Sequence, residues 1–99
     1  MAKYDIHEFG KEKNLVVDLQ TDLLDDLNTK VVAPLMQKDI APKSAQYLNP
    51  IFEIAGDEYV MMTQFLSAVP TPQLGQAVGN LNDKASDITR AVDMVFQGF

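Results

Sequence analysis

The side chains that most often carry catalytic chemistry are sparse in this chain. His7 is the only histidine, Arg90 is the only arginine, and there is no cysteine. A lone histidine in an alternating apolar and polar stretch is typical of an exposed strand position, and no second histidine can join it on a metal ion. Asp25 and Asp26 lie in a turn-like stretch without an acid partner. These residues favour a protein that acts by binding and is not an enzyme, and they indicate no cofactor and no metal.

Aspartates crowd one part of the chain. Residues 18–26 contain Asp18, Asp22, Asp25 and Asp26 and no cation. Charge runs are usually solvated, so we expect a strand end followed by an exposed loop. The formal net charge of the chain is −6. Direct binding of DNA or RNA is disfavoured, because nucleic-acid-binding proteins usually present a basic face.

The length of 99 residues predicts one small domain covering residues 1–99. Without cysteine there can be no disulfide framework. Charged residues near the N-terminus interrupt any signal peptide, and no apolar run approaches the roughly 20 residues that cross a bilayer. We therefore expect a soluble, cytoplasmic protein without membrane contact. A domain of this size buries only about 60–65% of its unfolded surface, so dimerisation would help to stabilise it.

The elements that must position any functional residue are mainly strands. Alternating and apolar runs predict an antiparallel sheet of about five strands. Residues 4–9 and 15–19 form a hairpin around a polar turn at 10–13, and residues 31–33 begin a third strand. Pro34 should place the end of that strand at an edge or a bend.

A long polar loop over residues 36–49 precedes a second predicted hairpin. Residues 51–54 and 59–62 flank Gly56 and Asp57, and glycine accepts the positive φ that a hairpin turn needs. Residues 74–81 could form one short helical turn, which Gly75 and Gly79 weaken.

The last segment is the clearest element, an amphipathic helix. Asn82 or Asp83 can cap its start, and Gly98 should stop it, since glycine readily adopts the left-handed conformation of a helix C-terminus. Apolar residues recur at helical spacing on one face. That face comprises Ala85, Ile88, Val92, Val95 and Phe96.

Two aromatic residues and a glycine follow the helix, in the order Phe96-Gln97-Gly98-Phe99. Two interpretations remain open at this point. Phe96 and Phe99 can cover the protein's own core, as apolar residues of helices usually do. Alternatively, they form an exposed recognition surface at the end of a rigid helix.

Several short pieces of sequence occur in a characteristic order along the chain. They are residues 17–22 (VDLQTD), Pro34-Leu35, Gly56-Asp57-Glu58, Met61-Met62-Thr63, Ala68-Val69-Pro70, Ile88 and the ending Phe96-Gln97-Gly98-Phe99. In the order, spacing and end point of these pieces the chain resembles the CcdB toxins of bacterial toxin–antitoxin modules, over nearly its whole length.

The resemblance implies an α+β fold that is mainly β with a C-terminal helix, a small SH3-like, CcdB-like antiparallel β-barrel. It implies a homodimer and a cognate antitoxin, usually a DNA-binding protein with a disordered tail. It also implies a target, the A subunit of DNA gyrase, which toxins of this family trap while DNA is cleaved, without catalysis. The family's C-terminal triplet Trp-Gly-Ile makes the gyrase contact, so the resemblance assigns target binding to Gln97, Gly98 and Phe99.

The chain departs from the family at Gln97, which stands in place of the tryptophan. A tryptophan at an interface centre is typically worth about 2–4 kcal/mol on truncation, and glutamine cannot stack on a guanidinium as an indole does. The chain is then a weakened gyrase toxin, a toxin in which Phe99 takes over the aromatic role, or a decayed or retargeted homologue that keeps the fold and antitoxin binding. An mRNA-cleaving toxin of the related barrel family is a further alternative, disfavoured by the single histidine and the acidic charge.

The resemblance also places an antitoxin site on the first hairpin loop and the long middle loop. By position the site comprises Phe9, Lys11, Lys13, Lys38 and Lys43. Alone, these lysines are typical solvated loop residues; with the resemblance, they form a seat for an acidic disordered tail. Met94 and Val95, together with the pair Met61-Met62, offer more apolar surface than one small core requires. They predict a dimer interface that includes the end of the helix.

Overall fold

A curled antiparallel sheet packed against one C-terminal helix forms the computed structural model, which describes residues 2–98. The strands run in the order β4-β5-β3-β2-β1-β7, and β6 pairs with the first half of β3. The bounds are β1 Asp5–Phe9, β2 Asn14–Asp18, β3 Thr29–Gln37, β4 Ile51–Ile54, β5 Asp57–Met61, β6 Ser67–Pro70, β7 Leu74–Asn80 and α1 Ala85–Gln97. The expected mainly β fold with a C-terminal helix is confirmed.

Within residues 2–98 the sheet has seven strands, where the sequence predicts about five. The helical turn predicted over residues 74–81 is wrong, because β7 occupies this segment and pairs with β1. Its glycines permit close approach between the two strands. A Cβ on Gly75 would lie 3.0 Å from the backbone oxygen of Glu8, and a Cβ on Gly79 would lie 3.2 Å from Cδ1 of Ile6.

Pro34 does not end the third strand, which continues to Gln37. The Pro34 carbonyl accepts the N–H of Met62, so this residue faces the side of β3 that is away from β2. On that side β3 changes partner, from β6 at its start to β5 at its end. The missing N–H of proline therefore falls where no continuous ladder needs it.

The second hairpin is confirmed, with its turn shifted by one residue. Ile54 pairs with Asp57, so the two turn residues are Ala55 and Gly56. Both have positive φ, +53° and +87°, as a two-residue type I′ turn requires. Residues 38–50 form the expected long loop without a regular helix.

Two hydrophobic clusters lie on opposite faces of the sheet, because neighbouring strand residues such as Val16 and Val17 point in opposite directions. The first cluster packs against α1 and comprises Ile6, Val17, Ala33, Leu35, Phe52, Met61, Leu81, Ile88 and Ala91. The second comprises Val16, Val32, Val69 and Leu74.

The C-terminal helix α1 begins at Ala85, after a 3₁₀ turn over Asn82–Lys84. Gly98 ends it as expected, with φ +81° and its N–H bonded to the Met94 carbonyl at 3.1 Å. Within residues 2–98 no helix is long and apolar enough to cross a membrane.

Candidate functional site

The end of α1 presents an aromatic side chain to solvent. Phe96 is 68% exposed, Val95 is exposed, and Gln97 and Gly98 complete the described end of the chain. Phe99, the last residue of the predicted target-binding triplet, lies outside the described residues. The interpretation of Phe96 as a core residue is therefore wrong. The buried residues of the helix are Ile88 and Ala91, whereas Val95 and Phe96 continue the apolar stripe past the edge of the sheet.

An apolar groove lies beside Phe96, between α1 and the ends of β2 and β3. We call it the helix-side groove; its volume is about 440 Å³. Leu19, Val31 and Val92 line it together with Phe96, and Lys3 and Asp93 also lie along it. An exposed ring at the rim of such a groove is a typical anchor for a protein partner.

The loop between β2 and β3 adds two leucines to this surface. We call residues 21–28 the leucine loop. Leu23 is 91% exposed and Leu24, which lines the helix-side groove, is 45% exposed. Sequence reasoning missed both residues, because the surrounding aspartates were interpreted only as a solvated run. The signal was available in Leu23-Leu24, an apolar pair between acidic residues at a loop tip.

A buried lysine holds the leucine loop against the sheet. The loop is exposed as expected, but the expectation of a solvated strand end is wrong at Asp18, which is buried beside this lysine. Lys30 on β3 is 1% exposed, and its Nζ lies 3.3 Å from Oδ2 of the buried Asp18 and also contacts Asp25. The hydrogen bond from Lys30 lowers the pKa of Asp25 below its ordinary value of 3.8. Burial lowers the pKa of Lys30, but its contacts with Asp25 and Asp18 outweigh this effect and raise it above 10.5.

A second groove lies on the other face of the sheet, beside the first hairpin. We call it the hairpin groove; its volume is about 470 Å³. Phe9 and Lys13 from the hairpin line it, together with Val32 and Pro34 from β3 and the exposed Ile40 from the long loop. The structure thus brings two of the five predicted antitoxin-binding residues to one apolar groove.

The remaining predicted lysines do not line the hairpin groove. Lys38 lies in a neighbouring shallow depression, where its Nζ is 3.5 Å from Oε1 of Glu58. This ion pair is exposed, so it is worth little and leaves the lysine available to a partner. Lys11 at the hairpin tip and Lys43 in the long loop are exposed side chains that line neither depression.

The long loop is anchored at its far end. The Asn49 side chain donates to the Met61 carbonyl at 3.0 Å and to Oε1 of Gln64 at 2.8 Å, and it accepts the N–H of Ala45 at 3.0 Å. The guanidinium of Arg90 lies 4.8 Å from the centroid of the Tyr47 ring, which joins the loop to α1. The only arginine therefore packs against the protein's own loop and away from both grooves.

The predicted exposure of His7 is wrong. Its side chain is 2% exposed, and Nδ1 donates to the Gly75 carbonyl at 3.0 Å, because the pairing of β1 with β7 covers it. No cluster of three potential metal-ligating side chains occurs within residues 2–98.

The chain matches the model of the CcdB family, described as CcdB protein, over residues 3–98. The chain belongs to the CcdB family. This membership supports its assignment as a toxin of a toxin–antitoxin module, since the resemblance that led to it is to such toxins.

Two solved structures share the fold. A mycobacterial endoribonuclease in complex with its cognate antitoxin has a TM-score of 0.79 at 10% identity, over 97% of this chain and 94% of its own. The Mycobacterium tuberculosis toxin MazF-mt6 has a TM-score of 0.77 at 17% identity, over 93% of this chain and 95% of its own. At these identities the likeness shows the fold alone.

The predicted dimer residues of this CcdB-family protein differ in their environments. Met94 is half-buried and Val95 is exposed at the end of α1, so both remain available for an interface. Met61 and Met62 are fully buried, so they are core residues and not surplus apolar surface. The homodimer stays a prediction that rests on Met94 and Val95.

Proposed function

We propose that this CcdB-family protein is a cytoplasmic toxin that binds the A subunit of DNA gyrase and poisons it without catalysis. The contact comprises the C-terminal residues 96–99 and the leucine loop. The observation that carries the proposal is the exposed Phe96 beside the helix-side groove. Phe96 immediately precedes Gln97, Gly98 and Phe99, the residues to which the resemblance to CcdB toxins assigns gyrase binding.

The surface formed by Phe96 and the leucine loop fits a partner that presents basic residues around an apolar site. Leu23, Leu24 and Phe96 supply exposed apolar area, and Asp22, Asp26 and Asp93 surround it with negative charge. Apolar anchors supply most of the affinity in such interfaces, while surrounding charges mainly guide association. The gyrase surface therefore has to present basic residues beside a site that accepts the leucines and the phenylalanine.

Gln97 sets the strength of this contact. Without the indole of the family's tryptophan, the binding free energy for gyrase is expected to be weaker by about 2–4 kcal/mol, which is a roughly 30- to 1000-fold lower affinity. Gln97 favours one alternative, a decayed or retargeted homologue. Such a homologue keeps the fold and antitoxin binding but does not poison gyrase. The exposed Leu23 and Phe96 support retention of a binding surface, because a surface without a partner gains nothing from solvent-exposed apolar side chains.

We assign the antitoxin site to the hairpin groove and its lysines. Phe9, Val32 and Ile40 supply apolar contacts, and Lys13 supplies positive charge at the groove, with Lys11 at the adjacent hairpin tip. An acidic disordered segment with apolar anchors fits this combination. The mycobacterial endoribonuclease with the same fold is in complex with its cognate antitoxin, which supports an antitoxin as the partner.

RNA cleavage is a second candidate function, because fold relatives of this chain are endoribonucleases. Such cleavage needs groups for proton transfer and for phosphate contact. His7 is buried under β7, and Arg90 rests on Tyr47. This placement favours gyrase poisoning over ribonuclease activity.

Three serine substitutions at exposed apolar residues test the assignment of the two grooves. Leu24→Ser lies in the helix-side groove, Ile40→Ser lies in the hairpin groove, and Val78→Ser on β7 lies in neither. Expression of the parent should arrest growth and stabilise cleaved DNA in supercoiling assays. Leu24→Ser should abolish this effect, Ile40→Ser should weaken only antitoxin binding, and Val78→Ser should change neither.

The alternatives give different results in the same assays. A parent that allows normal growth at high soluble expression contradicts gyrase poisoning, and toxicity gained by Gln97→Trp would then establish the decayed homologue. Cleavage of purified RNA that persists in the presence of a metal chelator and disappears in Arg90→Ala would establish the ribonuclease.

A further inference from the structure

The leucine loop has no side chain in the core. Residues 21–28 are all exposed, yet they contain a 3₁₀ turn over Asp22–Leu24 that Thr21 caps by accepting the N–H of Leu23 at 3.4 Å. Leu24 and Leu27 are 45% and 49% exposed, so each is only partly buried, and such contacts do little to hold a loop in one conformation. Its shape therefore depends on polar contacts with the sheet.

Gln20 provides the first set of contacts. Its Nε2 donates to the carbonyl of Leu24 at 3.1 Å and to the carbonyl of Thr29 at 3.2 Å, and its Oε1 accepts the N–H of Val31 at 3.2 Å. One buried side chain thus joins the middle of the loop to the start of β3. The Lys3 N–H adds a bond to Oδ1 of Asp22 at 2.7 Å.

Lys30 provides the second set. Its buried ammonium contacts Asp18 on β2 and Asp25 in the loop, and Oδ1 of Asp18 accepts the N–H of Gln20 at 2.8 Å. Desolvation of two charges offsets much of their attraction, so a buried ion pair is weak evidence for added stability. What the pair contributes is geometry, because the contact between Asp25 and the Lys30 ammonium ties the loop to β3 at a defined point.

We propose that Lys30 and Gln20 are positioning residues that hold the leucine loop in its recognition conformation before the target arrives, with Asp25 as the loop's own attachment point. This rests on the proposed function, in which Leu23 and Leu24 touch the target. A preformed loop binds more tightly than a mobile one, because no ordering is left to be done on association.

Asp25→Ala is the sharpest test, with Asp26→Ala as its matched control. Each substitution removes one negative charge from an exposed position of the same loop, but Asp26 makes no ion pair with any residue among 2–98. Lys30 keeps Asp18 in both variants, so no buried charge is left unpaired. Both proteins should melt at nearly the parental temperature.

The amide protons of Leu24 and Leu27 report the order of the loop, because they donate to carbonyls within it. Hydrogen exchange measured by NMR on the free protein should be on the order of tenfold faster at these amides in Asp25→Ala than in Asp26→Ala. Lys30→Arg, which keeps a cation for both carboxylates, should exchange like the parent. Both variants lose one negative charge beside the apolar contact, so affinity for the purified gyrase A subunit should fall on the order of tenfold further in Asp25→Ala than in Asp26→Ala.

Equal exchange at Leu24 and Leu27 in the two aspartate variants overturns the positioning role. Faster exchange in Asp25→Ala with an affinity for gyrase equal to that of Asp26→Ala overturns it as well, since the ordered loop then contributes nothing to recognition. A parent that does not bind gyrase contradicts the proposed function, while the exchange measurement on the free protein still decides whether Asp25 and Lys30 order the loop.

Discussion

Replacing Phe96 by alanine should separate binding from stability. The ring is 68% exposed, so about a third of its surface is buried against the helix-side groove. Full burial of such a side chain is worth about 1.5–3 kcal/mol, and the buried third is worth about 0.5–1 kcal/mol. For a domain of this size that loss lowers the melting temperature by about 2–8 °C.

The effect of the same substitution on target binding should be much larger. An aromatic anchor at the centre of an interface typically costs about 2–4 kcal/mol when truncated, which corresponds to a roughly 30- to 1000-fold weaker affinity. On the proposed function, Gln97 stands where the family has tryptophan, so we expect Phe96 to carry a greater share of the aromatic contact. A loss near the upper end of the range is therefore expected.

Thermal melting and titration calorimetry with the purified gyrase A subunit measure the two effects. Ile88→Ala, at a fully buried position of the same helix, gives the scale for a core residue and should cost about 2–5 kcal/mol of unfolding free energy. Val78→Ala, at an exposed position outside both grooves, gives the scale for a surface residue. If Phe96→Ala melts as low as Ile88→Ala, or binds gyrase as well as Val78→Ala, the assignment of Phe96 to the target surface is refuted.

Three further predictions follow from the charges and the exposed helix end. Joint charge reversal of Lys11, Lys13 and Lys43 should slow association with the cognate antitoxin in low salt, as measured by stopped-flow mixing. The melting temperature should stay nearly unchanged. Association at the parental rate would place the antitoxin site elsewhere. The pKa of Asp25 is lowered, so the contribution of Asp25 to stability is present above about pH 4 and is lost as the pH falls through the lowered pKa. The pKa of Lys30 is raised, so the contribution of Lys30 is lost only as the pH rises above 10.5. Exchange at the loop amides, corrected for the intrinsic pH dependence of exchange, should therefore be constant between about pH 5 and pH 9. Light scattering at micromolar concentration should give about twice the chain mass of 11.0 kDa, and a monomer at all concentrations would contradict the dimer.

Sequence patterns predicted correctly those secondary-structure elements that depend only on neighbouring residues. The periodicity of α1, the alternation in β1 and the positive-φ glycine of the second hairpin each depend on neighbours within a few residues. The segments β6 and β7 carry Pro70, Gly75 and Gly79, which locally indicate a break. They are strands because β3 and β1 offer them partners, and that pairing is a tertiary effect that no local pattern contains.

The candidate site was predictable only in part for the same reason. The exposed end of α1 and the lysine-bearing loops could be located from sequence, because helical periodicity that stops at a glycine and polar turn residues are local sequence signals. The burial of His7 depends on coverage by β7, and the pairing of Asp18 with Lys30 depends on the register between β2 and β3. Residues 12 positions apart in sequence meet only once that register is set.

The position of the two grooves on opposite faces of the sheet constrains how an antitoxin can protect the target. Val31 and Val32 are neighbours on β3, and Val31 lines the helix-side groove whereas Val32 lines the hairpin groove. On the proposed assignments, a short segment confined to the hairpin groove leaves Leu24 and Phe96 open to gyrase. The molecule measures 33 × 29 × 22 Å, and an extended chain covers about 3.3 Å per residue, so the path from one face to the other takes on the order of ten residues. Neutralisation by direct cover therefore requires a tail longer than the hairpin groove itself, which is the kind of partner that a disordered antitoxin segment provides.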